Sequence, residues 1–128
     1  MITEDYVSFE VAKLLKEKGF NEYCFAAYST EIGDFITVGP IKNSEIDADK
    51  DDTHICTAST HQMAMKWLRK VPNMYIEVCT DKSYNFQDII FSPAVYDREL
   101  DCLWESDNFS TYEEACEAAL KYCLTKLI

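Results

Sequence analysis

Apolar residues recur at helical spacing in the segment 59–72, and polar residues mark both of its ends. The stripe consists of residues three or four positions apart, which share one face of a helix: Met63, Ala64, Trp67, Leu68 and Val71. Ser59 and Gln62 have the S-x-x-Q spacing of a capping box, so Ser59 is the predicted N-cap. Pro72 cannot continue the helical hydrogen bonds and restricts the residue before it, so the helix should end there.

Two further helices are predicted near the two ends of the chain. Ser8 is the expected N-cap of the first, while Gly19 and Phe20 fit the left-handed ending of a Schellman motif. The last helix should begin at Ser110 or Thr111, because each has a glutamate three positions later. Its apolar face repeats at the same helical spacing: Cys116, Ala119, Leu120, Cys123, Leu124 and Leu127.

Alternating or continuous apolar residues predict strands in five segments: 23–29, 35–38, 74–80, 86–91 and 100–105. The first is apolar on both faces, which favours an interior strand. Gly39-Pro40 should close the first hairpin, and Ser92-Pro93 should interrupt the chain after the fourth strand. The predicted fold is α+β, a single domain of residues 1–128 in the order α-β-β-α-β-β-β-α. It should have a mainly antiparallel sheet of four or five strands with three packed helices.

Composition limits the classes of function. A hydrophobic share of 48% argues against general disorder, and no run approaches the ~18 apolar residues of a membrane span. The first residues, MITEDYVSFE, are acidic where a secretory signal needs basic and then apolar residues, so we expect a cytoplasmic protein. The net charge of −11 removes the main electrostatic attraction to nucleic acid and to anionic membranes. Solubility explains this charge most directly; a basic protein partner or imitation of a phosphate backbone is the alternative.

The acidic side chains concentrate in the segment 42–53, which lacks periodicity and is predicted as an exposed loop. Its five acids are the first candidate contact surface for a basic protein partner, although a solvated loop is the favoured interpretation: Glu45, Asp47, Asp49, Asp51 and Asp52. Asp47 begins a D-x-D-x-D pattern, but the glycine and glutamate of a calcium loop are replaced by Asp52 and Ala58. Trp104 is the second candidate, as an exposed anchor; packing against the last helix is the favoured alternative.

Cysteine and histidine offer little support for chemistry. Without a secretory signal, the six cysteines are expected to be free thiols, and four of them are predicted to lie in the core: Cys24, Cys79, Cys116 and Cys123. His54, Cys56 and His61 form the one local cluster that could hold a metal or a nucleophile. A structural zinc site needs four ligands and no C-x-x-C pair is present, so no metal, cofactor or catalytic residue is predicted.

Three segments resemble a family of small uncharacterised proteins of phages and integrated elements of gut Bacteroidales: SFEVAKLLKEKGF (8–20), THQMAMKWLR (60–69) and YEEACEAALKYCLTKLI (112–128). The resemblance implies a phage or mobile-element origin and action in the bacterial cytosol, and it transfers no site residue. The leading hypothesis is a non-enzymatic protein that binds a host or phage protein. One alternative is an inhibitor of a bacterial defence system, acting by acidic mimicry of nucleic acid or by trapping a nucleotide signal. The other is a metal-dependent or cysteine-dependent enzyme built on His54, Cys56 and His61.

Overall fold

The computed structural model describes residues 2–29, 32–46 and 54–128. Within them lie three α-helices and six strands: α1 (Phe9–Glu17), β1 (Cys24–Ser29), β2 (Asp34–Ile41), β3 (Cys56–Thr57), α2 (His61–Lys70), β4 (Tyr75–Lys82), β5 (Ile89–Tyr96), β6 (Cys102–Glu105) and α3 (Tyr112–Tyr122). A short 3₁₀ turn, Asn43–Glu45, follows β2, and a π-helical turn, Cys123–Leu127, follows α3. The predicted α+β class and order of elements are confirmed, with the two-residue β3 as an addition.

The strands of the described residues form two antiparallel sheets of three strands, where we expected one sheet of four or five. Sheet A has the order β2-β1-β3, and sheet B has the order β4-β5-β6. The chain divides into two compact units, an N-terminal unit (Met1–Ala64) with sheet A and a C-terminal unit (Met65–Ile128) with sheet B. The division falls inside α2. That the whole chain folds as one domain stays a prediction.

Local sequence determines both ends of α1 as predicted. The Ser8 hydroxyl accepts a hydrogen bond from the Val11 amide at 3.2 Å. At the other end Gly19 adopts a left-handed φ of 97°, which allows its N–H to bond to the Lys16 carbonyl. The Phe20 N–H bonds to the carbonyl of Leu15, which completes the Schellman motif. Phe20 and Leu15 are both buried, so this ending contributes directly to the core of the N-terminal unit.

Sheet A is built around β1, whose predicted interior position is confirmed. Cys24, Ala26 and Ala27 are almost fully buried, and β2 and β3 flank the strand. The prediction that Gly39-Pro40 ends the hairpin is wrong, because β2 continues through this pair to Ile41. Cys24 pairs with Ile41 and Ala26 with Thr37, so β2 contains extra residues that bulge out of the ladder. A proline is tolerated at such a bulge because it need not donate a ladder hydrogen bond.

The start of α2 lies one residue later than the capping box predicted. The hydroxyl of Thr60 accepts the Met63 amide at 3.2 Å and is the side chain that caps the helix. Ser59 is not that cap, because its hydroxyl has no hydrogen-bond partner among the described residues; its carbonyl accepts the Val7 amide. The buried face is shifted accordingly: it includes His61 and Met65, while Val71 is 59% exposed. The helix ends at Lys70, just before Val71-Pro72, as predicted.

Sheet B is a simple meander in which β4 and β5 pair residue by residue. The prediction that Ser92-Pro93 interrupts the strand is wrong, since β5 runs through both residues. The amide of Ser83 donates to the carbonyl of Asp88 at 2.7 Å and closes the hairpin. Residue pairs in an antiparallel ladder alternate between hydrogen-bonded and non-hydrogen-bonded pairs. Counted from the bonded pair of Ser83 and Asp88, Pro93 and its partner Val78 form a non-hydrogen-bonded pair. The missing N–H of Pro93 therefore removes nothing from the ladder with β4.

Helix α3 packs on one face of sheet B through aromatic contacts. Its N-cap is Thr111, one of the two predicted residues, whose hydroxyl accepts the Glu114 amide at 3.1 Å. The rings of Tyr112 and Phe91 meet edge to face, with centroids 6.2 Å apart. The predicted apolar face is confirmed for five residues that are fully buried: Cys116, Ala119, Leu120, Cys123 and Leu124. Among the described residues, no helix has the length and apolar character needed to cross a membrane.

Candidate functional site

The candidate partner-binding residues from the sequence lie in different units. Trp104 is half-buried in β6, and its ring stacks on that of Tyr122 in α3, with centroids 4.9 Å apart and planes 14° from parallel. This arrangement is the packing role that the sequence favoured over an exposed anchor. Glu45 is exposed at the end of the 3₁₀ turn in the N-terminal unit. The other four acids of the loop, Asp47, Asp49, Asp51 and Asp52, lie outside the described residues.

Of the three candidate residues His54, Cys56 and His61, the last two are buried and His54 is half-buried. Burial raises the pKa of the Cys56 thiol to about 11, although the nearby Lys16 and Lys13 side chains oppose this effect. The thiol is therefore protonated at neutral pH and is a poor nucleophile. His61 is 5% exposed, and its backbone N–H donates to the Asp5 carbonyl. Residues 2–29, 32–46 and 54–128 contain no group of three histidine, cysteine, aspartate or glutamate side chains placed to hold a metal ion.

Six free cysteines divide into four buried and two exposed thiols. Cys24, Cys116 and Cys123 are buried as predicted, but the prediction for Cys79 is wrong. Cys79 lies two residues from Glu77 and shares its exposed face of β4, and its thiol donates to the Glu77 carboxylate at 3.2 Å. The hydrogen bond and charge of Glu77 raise the pKa of the Cys79 thiol. Period-two alternation places the half-buried Ile76 and Val78 on the other face of the strand.

The most distinctive surface feature is the loop between β4 and β5, residues 83–88, which we call the aromatic tip. Tyr84 is fully exposed and Phe86 is 77% exposed. Ile89, the first residue of β5, extends this apolar surface and is 63% exposed. Solvent exposure of two neighbouring aromatic rings is unfavourable in a free protein and is typical of a surface that binds a partner.

Hydrogen bonds within the aromatic tip fix its conformation. Besides the closing bond from Ser83 to Asp88, the Phe86 amide donates to the Ser83 carbonyl at 2.9 Å. The Ser83 hydroxyl accepts the amide of Asp88 at 3.1 Å. The side-chain oxygen of Asn85 accepts the amide of Gln87, also at 3.1 Å. The polar residues of the loop thus satisfy one another, and its two aromatic rings are left to solvent.

Phe86 also has an uncommon backbone conformation. Its φ is 59°, in the left-handed region that glycine and asparagine adopt far more readily than an aromatic residue. Such a conformation costs on the order of 1–3 kcal/mol, and residues of this kind concentrate at functional sites. The strand predicted over 86–91 is wrong at Phe86, which lies in the loop before β5, and the sequence alone does not predict a binding site here. Ser83 and Asn85 alternate with Tyr84 and Phe86, and serine and asparagine are typical of turns. This pattern could have revealed the loop.

The loop between β5 and β6 has the same kind of construction without the aromatic rings. The Asp97 amide donates to the Asp101 carbonyl, and the Leu100 amide donates to the Asp97 carbonyl, both at 3.0 Å. Leu100 also has a left-handed φ, of 65°, and is 72% exposed. Its loop neighbours are the charged residues Arg98 and Glu99. This second loop therefore provides a matched control for the aromatic tip.

Carboxylates flank the aromatic tip. Asp81 near the end of β4 and Asp88 at the end of the loop are both exposed, with Lys82 as the cation between them. The tip contains no histidine or cysteine. The aromatic tip therefore presents exposed apolar surface beside negative charge.

Comparison with protein-family models, with curated proteins and with solved structures gave no match for this chain.

Proposed function

We propose that this chain is a small non-enzymatic interaction protein that binds a protein partner through the aromatic tip, residues 83–88. The observation that supports this function is the exposure of Tyr84 and Phe86 on a loop held by its own hydrogen bonds. Tyrosine is enriched among the residues that dominate binding energy at interfaces. A fixed loop also loses little conformational entropy on binding, so more of the contact energy remains as affinity.

The charge of the chain indicates the chemistry of the partner. The net charge is −11, and Asp81 and Asp88 flank the two rings. A protein surface with an apolar pocket and a basic rim complements this arrangement, whereas nucleic acid and anionic membranes are repelled. We place the interaction in the bacterial cytosol, with a host or phage protein as partner, because of the resemblance to proteins of phages and integrated elements.

A second candidate function is inhibition of a bacterial defence system by acidic mimicry of nucleic acid. The net charge of −11 favours it, since an enzyme that binds nucleic acid has a basic groove that acidic side chains can occupy. This candidate differs from the first in its contact surface. Mimicry depends on carboxylates spread over the protein, while the leading proposal depends on two aromatic side chains.

Affinity purification from a bacterial host tests the leading proposal. Tagged wild-type protein, a Tyr84→Ala/Phe86→Ala variant and a Leu100→Ala control would be used as baits, and captured proteins identified by mass spectrometry. We expect a partner that wild type and the Leu100→Ala control capture and that the double variant loses. With the purified partner, the double variant should bind at least about 100-fold more weakly, since interface hot spots each contribute about 2 kcal/mol or more.

Circular dichroism and thermal melting would establish that the double variant is folded before its binding is compared. Equal capture by all three baits would contradict the proposed site. Capture that survives the double variant but disappears at high salt would favour mimicry instead. A nucleotide that copurifies in place of a protein would support trapping of a nucleotide signal and would overturn the leading proposal.

A further inference from the structure

The outer side of β4, which we call the open edge, is a second feature that fits a partner. β4 is the terminal strand of sheet B and pairs with β5 along all eight of its residues. Because Ser83 bonds to Asp88, strand alternation directs the backbone groups of Ile76, Val78 and Thr80 away from β5. An added strand would pair with these groups, because unpaired N–H and C=O groups along a sheet edge form a template for another strand.

Two independent contacts support this assignment of direction. Phe91, which lies opposite Thr80, exchanges backbone hydrogen bonds of 2.8 and 3.2 Å with Phe109 on its other side. The N–H and C=O groups of Phe91 therefore point away from Thr80, so the pair is not hydrogen-bonded. The backbone groups of Thr80 accordingly point to the open edge. The Lys82 amide, next in the outward series, donates to the Asp81 carboxylate at 2.7 Å instead of to β5. In the part of the chain that the structure describes, the outward amides of Ile76, Val78 and Thr80 have no such partner.

The two faces beside the open edge differ in chemistry. Glu77, Cys79 and Asp81 are exposed on one face, whereas Ile76 and Val78 are half-buried on the other. The first face is negatively charged. Burial raises the pKa of Tyr96, which lies in the neighbouring strand β5, and the charge of Glu77 adds to this effect. A strand added beside β4 would place alternate side chains on these two faces.

Building on the proposed protein-binding function, we propose that β4 accepts an extended segment of the partner as an additional antiparallel strand. The segment alternates lysine or arginine with apolar residues. Its basic side chains lie beside Glu77 and Asp81, and its apolar side chains lie beside Ile76 and Val78. In an antiparallel pair, residues opposite the outward residues of β4 exchange both backbone bonds with them. The backbone hydrogen bonds to β4 therefore come from the apolar residues of the segment.

A second copy of the chain is the competing occupant of this edge. The net charge of −11 opposes self-association, and a basic segment instead gains from the same charge. This difference is our reason for assigning the edge to a basic partner segment.

Amide hydrogen exchange measured by NMR tests the proposal. The probe is a ten-residue synthetic peptide of alternating lysine and valine with blocked termini. We expect exchange at the amides of Ile76, Val78 and Thr80 to slow by at least about 10-fold at saturation, because each gains a hydrogen bond. The amide of Cys79, which already faces β5, serves as the internal reference. A peptide of the same composition with its lysines and valines in two separate blocks should give no such protection.

Backbone N-methylation distinguishes strand addition from simple charge attraction. Methylation of the valine amides should abolish binding, since these amides face β4, and methylation of the lysine amides should be tolerated. Equal effects of the two modifications, or binding without protection of the three outward amides, would overturn the proposal. Protection of these amides that increases with protein concentration in the absence of peptide would also overturn the proposal, because a second copy of the chain would then occupy the edge.

Matched variants separate this proposal from the proposed function. Glu77→Gln/Asp81→Asn should weaken peptide binding about 10-fold and reduce its salt dependence, while Glu99→Gln, in the other loop, should have little effect. The Tyr84→Ala/Phe86→Ala variant should still protect the open edge when the peptide is added. If the natural partner depends on the aromatic tip but not on Glu77 and Asp81, the protein-binding function stands and strand addition is wrong.

Discussion

The two sheets of this molecule treat their edges in opposite ways. In sheet A, the edge strand β2 contains a bulge and Pro40, and the other edge, β3, has only two residues. Both are devices that discourage the addition of another strand. In sheet B, the edge strand β4 has eight residues in unbroken register and no proline. Within the described residues, sheet A thus has protected edges, whereas β4 of sheet B is an open edge next to the exposed rings of Tyr84 and Phe86.

The largest expected effect comes from removing one core leucine in each unit. Leu15 in the N-terminal unit and Leu120 in the C-terminal unit are both buried. Either Leu→Ala substitution should lower the free energy of unfolding by about 2–5 kcal/mol, through lost burial and a residual cavity. Because the division between the units lies within α2, we expect both variants to shift one common urea transition, followed by circular dichroism. Two separate transitions, each shifted by one variant alone, would contradict the single-domain prediction.

Alkaline pH should distinguish the buried thiols of the two units. Burial raises the pKa of Cys123 from 9.0 to about 12, and that of Cys56 from 9.0 to about 11. Below pH 9 both thiols are protonated whether the chain is folded or unfolded, so their contribution to stability is complete. As pH rises further, the unfolded chain releases protons that the folded chain retains, and stability falls by up to about 1.4 kcal/mol per pH unit for each thiol.

Cys123→Ala should therefore reduce the loss of melting temperature between pH 9 and 11, relative to the wild type. Near pH 11, Cys56→Ala should reduce the loss of melting temperature less than Cys123→Ala does, because the Cys56 thiol of the folded protein begins to ionise there. The comparison uses the slope with pH, so any cavity left by either substitution cancels. Identical slopes for the wild type and Cys123→Ala would show that this thiol is not shielded in the folded protein.

A smaller effect concerns helix caps in the two units. Thr60 caps α2 and Thr111 caps α3, so Thr→Ala at either position should destabilise the protein by about 1 kcal/mol. Ser59→Ala should be neutral or slightly stabilising, because the buried Ser59 hydroxyl has no hydrogen-bond partner among the described residues. Urea unfolding measures all three variants. A greater loss for Ser59→Ala than for Thr60→Ala would restore the capping box expected from the sequence.

Features that depend on neighbouring residues could be predicted from the sequence. The cap at Ser8, the left-handed Gly19 and the end of α2 before Pro72 are examples, since each arises from backbone chemistry within a few residues. The errors at Gly39-Pro40 and Ser92-Pro93 have a different origin. Whether a proline interrupts a strand depends on which side of the strand its nitrogen faces, and this follows from register with a partner strand.

The turn residues Ser83 and Asn85 indicate the loop of the candidate site, but the exposure of its aromatic rings could not be predicted, for the same reason. The exposure of Tyr84 and Phe86 depends on the hairpin register that ends at Ser83 and Asp88, and a shift of one residue would reverse every side chain. The apolar segment around Cys79 predicts a core position, but its place beside Glu77 on the exposed face of β4 decides its environment. Burial of a strand residue is thus a property of pairing more than of composition.

The stack of Trp104 on Tyr122 gives this protein an intrinsic optical reporter. The chain has two tryptophans, Trp67 and Trp104, and both belong to the C-terminal unit. Tryptophan fluorescence therefore reports on the surroundings of these two side chains without any attached dye. Trp104 lies in β6, which belongs to the same sheet as β4. A strand that binds beside β4 would therefore extend the sheet that contains Trp104. A change in emission on mixing with a tryptophan-free partner would thus be a direct readout of events in the C-terminal unit.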